Sequence, residues 1–178
     1  MKFFKRMMTL LFVVAVIGCV SDKENSSQLL SSIVNEYQDH EGYDEKEFPL
    51  GLFTKKFYQS EADFAKTILT KLSEVSEMAL SETEVISLKL LKFKLKDQID
   101  YFTYERFLNP LLSDAGFHSN LNYSVRPLFS YKAAKNYLNK LNAIPVFVDQ
   151  HFVNLREGLE KGVSQPKVIF NGYESTYE

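Results

Sequence analysis

Apolar residues recur at helical spacing through most of this chain. Leu29, Leu30, Ile33, Val34 and Tyr37 fall on one stripe from Gln28 onward, the three-to-four-residue spacing of an amphipathic helix. Gly42 in "HEGY" is its predicted C-cap. In "EKEFPLGLFTKKFY", Pro49 and Gly51 break the pattern, which predicts a loop with apolar anchors. A second helix is predicted from Ser60, where "SEAD" sets Asp63 three residues on, close to a capping box. Phe64, Ile68, Leu69, Leu72 and Val75 form its inward face. A third helix starts at Ser81, where "SETE" is a capping box with Glu84 reaching back. It runs through Val85, Leu88, Leu91, Leu95, Ile99 and Phe102 to about Leu108. Within it "LKFKLK" alternates as a half-buried strand would. Its long, capped surroundings without Gly or Pro predict helix.

Asn109-Pro110 ends that helix, and "LLSDAGFHSNLNY" opens a loop that continues to about Ser130, with Arg126-Pro127 keeping it extended. A fourth helix is predicted from Tyr131 to about Ala143, with Ala134, Tyr137, Leu138 and Leu141 inward. Pro145 kinks or restarts it. Val146, Val148, Phe152, Val153 and Leu155 carry a fifth helix to Gly162, a predicted C-cap. Pro166 opens either a further helix or an extended segment. The fold class predicted is all-α: an irregular antiparallel helical lobe of about five helices with long loops.

Composition supports a packed domain, with 45% hydrophobic and 14% aromatic residues. The formal charge of −2 gives no broad basic surface, which argues against a nucleic-acid partner. Lys89, Lys92, Lys94 and Lys96 read better as a solvated helix face with acids nearby.

The first eighteen residues stand apart from the fold. Lys2, Lys5 and Arg6 precede the apolar run "MMTLLFVVAVIG", the arrangement of a secretory signal. The run is shorter than the roughly 20 residues of a transmembrane helix. Cys19, the only cysteine, closes "VIGC". This resembles a bacterial lipobox, in which the thiol accepts a diacylglycerol. The alternative is an incidental cysteine in an ordinary signal. Position and flanks favour lipidation, which predicts stable anchoring to the membrane of a bacterial cell envelope, the outer membrane above all. Removing Lys2, Lys5 and Arg6 from the 21 basic residues leaves 18 against 23 acidic ones, a net charge of −5. No cysteine then remains for a disulfide, so packing must hold the fold. The organisation expected is a signal over 1–18, a polar tether over 19–27 ("VSDKENSS" after the cysteine) and a helical domain over 28–178.

Candidate chemistry is sparse. The histidines are His40, His118 and His151, with neither an HExxH nor an HxH spacing, so the chain offers no zinc site of its own and no cofactor is expected in it. No GxSxG, P-loop or dinucleotide-binding glycine pattern occurs. Asp44/Glu45 and Glu82/Glu84 suit helix starts better than acid–base work. His40 reads as a polar helix end and His151 as a surface or interface residue. His118 is either a loop histidine bonded to backbone or a substrate contact in a cleft.

"YERFLNPLLSDAGFHSNLNY", the helix "YLNKLNAIP", the following "DQ" and "REGLEKGVSQPKVI" together resemble the N-terminal part of an uncharacterised bacterial family, catalogued as domain of unknown function 885. Many of its members are secreted or lipid-anchored. The likeness is firm from about Tyr101 to Tyr173 and loose over Gln28 to Leu80; "DEKEFPLGLFTKK" departs from the family's usual proline and glycine-rich turn. Full-length members are considerably longer, and their C-terminal part carries an HExxH helix, the arrangement of a zinc-dependent peptidase. No position here matches that motif. The resemblance therefore implies a non-catalytic N-terminal lobe, inactive alone, forming one wall of a peptide cleft. Zinc belongs only to full-length relatives. Gly116, Phe117, His118, Ser119, Asn120 and Arg126 are the implied cleft contacts, and the missing C-terminal half is one implied partner. The competing expectation is a free-standing envelope lipoprotein that binds a protein or peptide partner. An enzyme acting through residues present here has no motif to support it.

Overall fold

A computed structural model describes residues 24–111, 116–117 and 128–170. The described residues are helical and contain no strand: α1 (24–38), α2 (Lys55–Leu72), α3 (Glu82–Thr103) and α4 (Tyr131–Glu160), with short 3-10 turns at Glu77–Ala79, Arg106–Leu108 and Lys167–Phe170. The all-α class holds, with four α-helices where about five were expected. The chain divides into two compact units. One takes residues up to His40 together with Asp63–Ile99. The other takes Glu41–Ala62 together with the residues from Asp100 onward.

The first unit is built on α1, the later part of α2 and most of α3. Leu30 and Ile33 pack with Ala65, Ile68 and Leu72, then with Val75, Leu88, Leu91 and Leu95. These are largely the stripes that periodicity marked. Helix α1 starts four residues earlier than expected, at 24, inside the predicted tether. Contacts fix the directions. Ser27 Oγ donates to Glu84 at the start of α3, and Lys94 lies over the Tyr37 ring, so α1 and α3 run parallel. His40 stacks on Phe64 at 3.6 Å while Lys71 Nζ reaches Glu36 at 2.5 Å, so α2 runs against α1. The capping box at α3 forms as predicted. Ser81 N–H donates to Glu84 Oε2 at 2.8 Å, and Glu84 N–H donates to Ser81 Oγ at 3.4 Å. "LKFKLK" is helical, and Lys89 pairs with Glu77 at 3.0 Å.

One helix start, one predicted cap and one predicted break differ from expectation. Helix α2 begins at Lys55, not Ser60. Thr54 Oγ1 accepts from Phe57 N–H at 3.2 Å and is the true cap, leaving Asp63 to pair with Lys66 at 2.8 Å. Gly42 is not a C-cap. It lies beyond the end of α1 at residue 38, beside the Glu61 and Phe57 side chains. Pro145 neither ends nor restarts a helix: Tyr131–Glu160 is one element with Pro145 inside. Proline removes one donor but its φ is helical, and both helix ends are capped. Ser130 Oγ accepts from Ala133 N–H at 3.1 Å. At the other end Gly162, at φ +77°, completes a Schellman motif, its N–H donating to Leu159 O at 3.0 Å and that of Val163 to Gly158 O at 2.8 Å.

The second unit buries an unexpected face of α4. The inward residues are Phe147, His151, Asn154 and Gly158, at helical spacing. Leu138, Leu141, Val146, Phe152 and Val153, expected inward or as helix-forming core, are exposed. His151, expected at the surface or at an interface, is buried within the second unit. The reason is backbone approach. Leu108 O comes so near Gly158 that a Cβ there would sit 2.7 Å from it, and Asn154 spends its amide on the 53 loop. Around this face Phe107 stacks with Tyr58 at 4.9 Å and Phe102 at 6.1 Å. Burial holds the Tyr58 hydroxyl well above the usual phenol range and raises that of Tyr101.

Candidate functional site

The second unit carries a groove whose walls come from the 43–51 loop and from α4. An Asx turn shapes the loop: Lys46 N–H donates to Asp44 Oδ1 at 2.8 Å, and Phe48 N–H donates to Asp44 O at 2.9 Å. Gly51, at φ +105°, turns the chain back toward α4. Phe53 then fixes the loop to the helix through both of its backbone groups. Its N–H donates to Gln150 Oε1 at 2.5 Å, and its carbonyl accepts from Asn154 Nδ2 at 2.8 Å. Two side-chain amides four residues apart on α4 thus clamp a single residue of the loop through the peptide units on either side of it.

The groove has two adjoining sections, of about 360 and 670 Å³, that share Lys46, Phe48, Pro49, Leu50, Gly51 and Asn139. Asn136 and Lys140 line one, and Asn142, Val146 and Gln150 the other. These volumes are those of small-molecule or peptide side-chain sites. The lining pairs an apolar loop wall with a row of amides at every third residue of α4. A side-chain amide offers a donor and an acceptor together, which matches a peptide group. Glu45, Glu47, Lys46 and Lys140 supply charge at the rim. Among the described residues the groove lining has no histidine and no cysteine.

Behind the Phe53 clamp lies His151. Its ring centroid is 4.4 Å from Phe117, stacked at 16°, 4.5 Å from Phe53 and 4.7 Å from Phe147. The residue is 5% exposed, and neither ring nitrogen has a hydrogen-bond partner among the described residues. Burial pushes its pKa down to about 4. At neutral pH it is an uncharged ring in an aromatic box, and what it contributes there is packing. At one end of α4, Glu157 accepts from Lys55 at 2.6 Å and pairs with Lys161 at 3.0 Å. Lys161 reaches Glu105 at 2.5 Å. These lysines hold the Glu157 carboxyl below the usual range.

The predicted site residues divide accordingly. Gly116 and Phe117 lie in the interior of the second unit, Phe117 against His151 and 6.1 Å from Phe147. His118, Ser119, Asn120, Arg126 and Cys19 fall outside the described residues. Among the described residues no group of three His, Cys, Asp or Glu side chains could hold a metal ion, and no helix is long and apolar enough to cross a membrane. Asn136, Asn139 and Asn142 were missed by motif reading, although "NYLNKLN" repeats asparagine every third residue. Gln150 stood in the "DQ" of the family resemblance without a role attached to it, and Asn154 gave no signal beyond being polar on an amphipathic helix.

A family model described as "Bacterial protein of unknown function (DUF885)" matches residues 37–177. The chain belongs to the DUF885 family. The match takes in all of the groove, the Phe53 clamp and the His151 box, so these are features of a DUF885 domain rather than of an appended segment. No curated protein and no solved structure matches this DUF885 chain.

Proposed function

We propose that this protein is an exported, lipid-anchored DUF885 lobe that binds extended peptide segments in the groove beside α4 and does no chemistry by itself. The observation that carries the reading is the amide row Asn136, Asn139 and Asn142 facing the apolar loop wall of Phe48, Pro49 and Leu50. An extended peptide presents backbone N–H and C=O groups along one line and side chains beside it. The amides can pair with the first and the loop wall can hold the second. The resemblance to zinc-dependent peptidases supplies the peptide as substrate class. No group of three His, Cys, Asp or Glu side chains among the described residues could hold a metal, and the lobe is read as a substrate-holding wall. The lipobox-like "VIGC" at Cys19 supports the envelope location.

The test is fluorescence anisotropy of labelled peptides titrated with the chain from Cys19 onward. Asn139 borders both sections of the groove and is exposed, so Asn139→Ala spares the core. Losing one amide partner at about 1 kcal/mol or more lowers peptide affinity roughly five- to tenfold, and no peptide product accumulates. Absence of saturable binding, or binding indifferent to Asn139→Ala and Asn139→Arg, overturns the reading.

A second reading draws on another observation. Leu138, Leu141, Phe152 and Leu159 leave an apolar stripe of α4 exposed among the described residues, which favours an envelope lipoprotein that docks a protein partner. Full peptide-binding activity in a chain with Leu138→Glu and Leu141→Glu would separate that surface from the groove.

A further inference from the structure

Helix α3 is apolar on two opposite faces. Leu88, Leu91 and Leu95 point into the core of the first unit. At 100° per residue, Ile86, Leu90 and Phe93 share the opposite face, and they are 58%, 60% and 71% exposed. Lys89 and Lys96 flank this stripe on one side and Lys94 on the other, while Glu82 and Asp97 bound its ends. The Lys89–Glu77 ion pair holds the 3-10 turn of Met78 alongside, and Met78 is 99% exposed. A solvated helix face does not need three large apolar side chains and a methionine in one patch.

We infer that this face docks on the phospholipid bilayer to which the chain is tethered, an inference that rests on lipidation of Cys19. Three observations select a bilayer over another protein. Bulky apolar residues flanked by lysines suit the headgroup boundary, where apolar side chains enter the acyl region and lysine stems extend toward the phosphates. The tether is short: five residues from Cys19 to Glu24 span at most about 18 Å. The tether also arrives at the end of α3 where the stripe begins, because Ser27 on the first turn of α1 bonds Glu84, which precedes Ile86 by two residues on the core-facing side of the helix. A lipid on Cys19 thus holds the stripe within reach of the membrane at high effective concentration, and weak insertion suffices to orient the first unit.

The chain has no tryptophan, so Phe93→Trp or Leu90→Trp places a single reporter on an exposed position. The lipidated protein is reconstituted in vesicles of phosphatidylethanolamine and phosphatidylglycerol, with and without brominated acyl chains. The expected result is a shift of indole emission to shorter wavelength, quenching by the brominated lipid, and reversal of both when Ile86→Asp is added to Phe93→Trp. Water-like, unquenched emission from a vesicle-bound chain overturns the docking while leaving the anchor intact. A mass spectrum without acyl chains, together with membrane fractionation unchanged by Cys19→Ala, overturns the anchor and with it the choice of a bilayer. A concentration-dependent shift without vesicles assigns the face to another copy of the chain and also overturns the proposal.

Discussion

Replacing His151 by leucine should stabilise the protein, and more so in acid. The residue is 5% exposed, and neither ring nitrogen is hydrogen-bonded among the described residues. A buried donor left unpaired costs about 1–3 kcal/mol. Leucine is similar in size and carries no polar atom, but it loses the stacking on Phe117, worth about 0.5–1.5 kcal/mol. The net gain at pH 7.5 is therefore about 1 kcal/mol. Protonation adds a second component. The folded-state pKa is about 4, against 6.5 for the unfolded chain. Between those values the unfolded state binds a proton that the folded state refuses, so stability is full above pH 6.5 and falls as pH drops toward 4. By pH 4.5 nearly two units have been crossed, about 2.5 kcal/mol at 1.36 kcal/mol per unit. His151→Leu lacks this loss. Urea unfolding of both proteins at pH 7.5 and 4.5, followed by circular dichroism, should show their difference growing from about 1 to roughly 3.5 kcal/mol. A less stable variant with an unchanged pH dependence would refute the reasoning, because it would mean that the imidazole is paired or charged in the folded protein.

Other substitutions test the packing that positions the groove. Gly158→Ala drives a Cβ to 2.7 Å from Leu108 O and should destabilise by about 1–3 kcal/mol in the same urea assay. Asn154→Leu leaves the Phe53 carbonyl without its donor. It should lose about 1–3 kcal/mol and speed hydrogen exchange of the Phe53 amide. Ser81→Ala removes the α3 capping box and should lose about 1 kcal/mol with no change in peptide binding.

Helix by helix, legibility followed the kind of signal available. The Ser81 capping box and the core stripe of α3 could be read because cap chemistry and apolar spacing agreed. Thr54 was passed over as a cap because Pro49 and Gly51 made the whole segment look like loop. On α4 the apolar stripe misled. Burial there is set by what the backbone of Phe53 and Leu108 needs, namely two amides and a glycine. Such long-range requirements leave no periodic trace. The groove follows from the same contacts, and only its asparagine row was visible as a repeat. His151 was expected at the surface or an interface because nothing in the sequence places three phenylalanines around it.

The most direct test of peptide binding by the groove is chemical-shift mapping. A ¹⁵N-labelled chain would be titrated with an unlabelled extended peptide. The account predicts saturable shifts concentrated at residues 43–51 and at Asn136, Asn139, Asn142 and Gln150, lost in Asn139→Arg, with the peptide intact throughout. Shifts confined to other surfaces, or cleavage of the peptide by this chain alone, would contradict it.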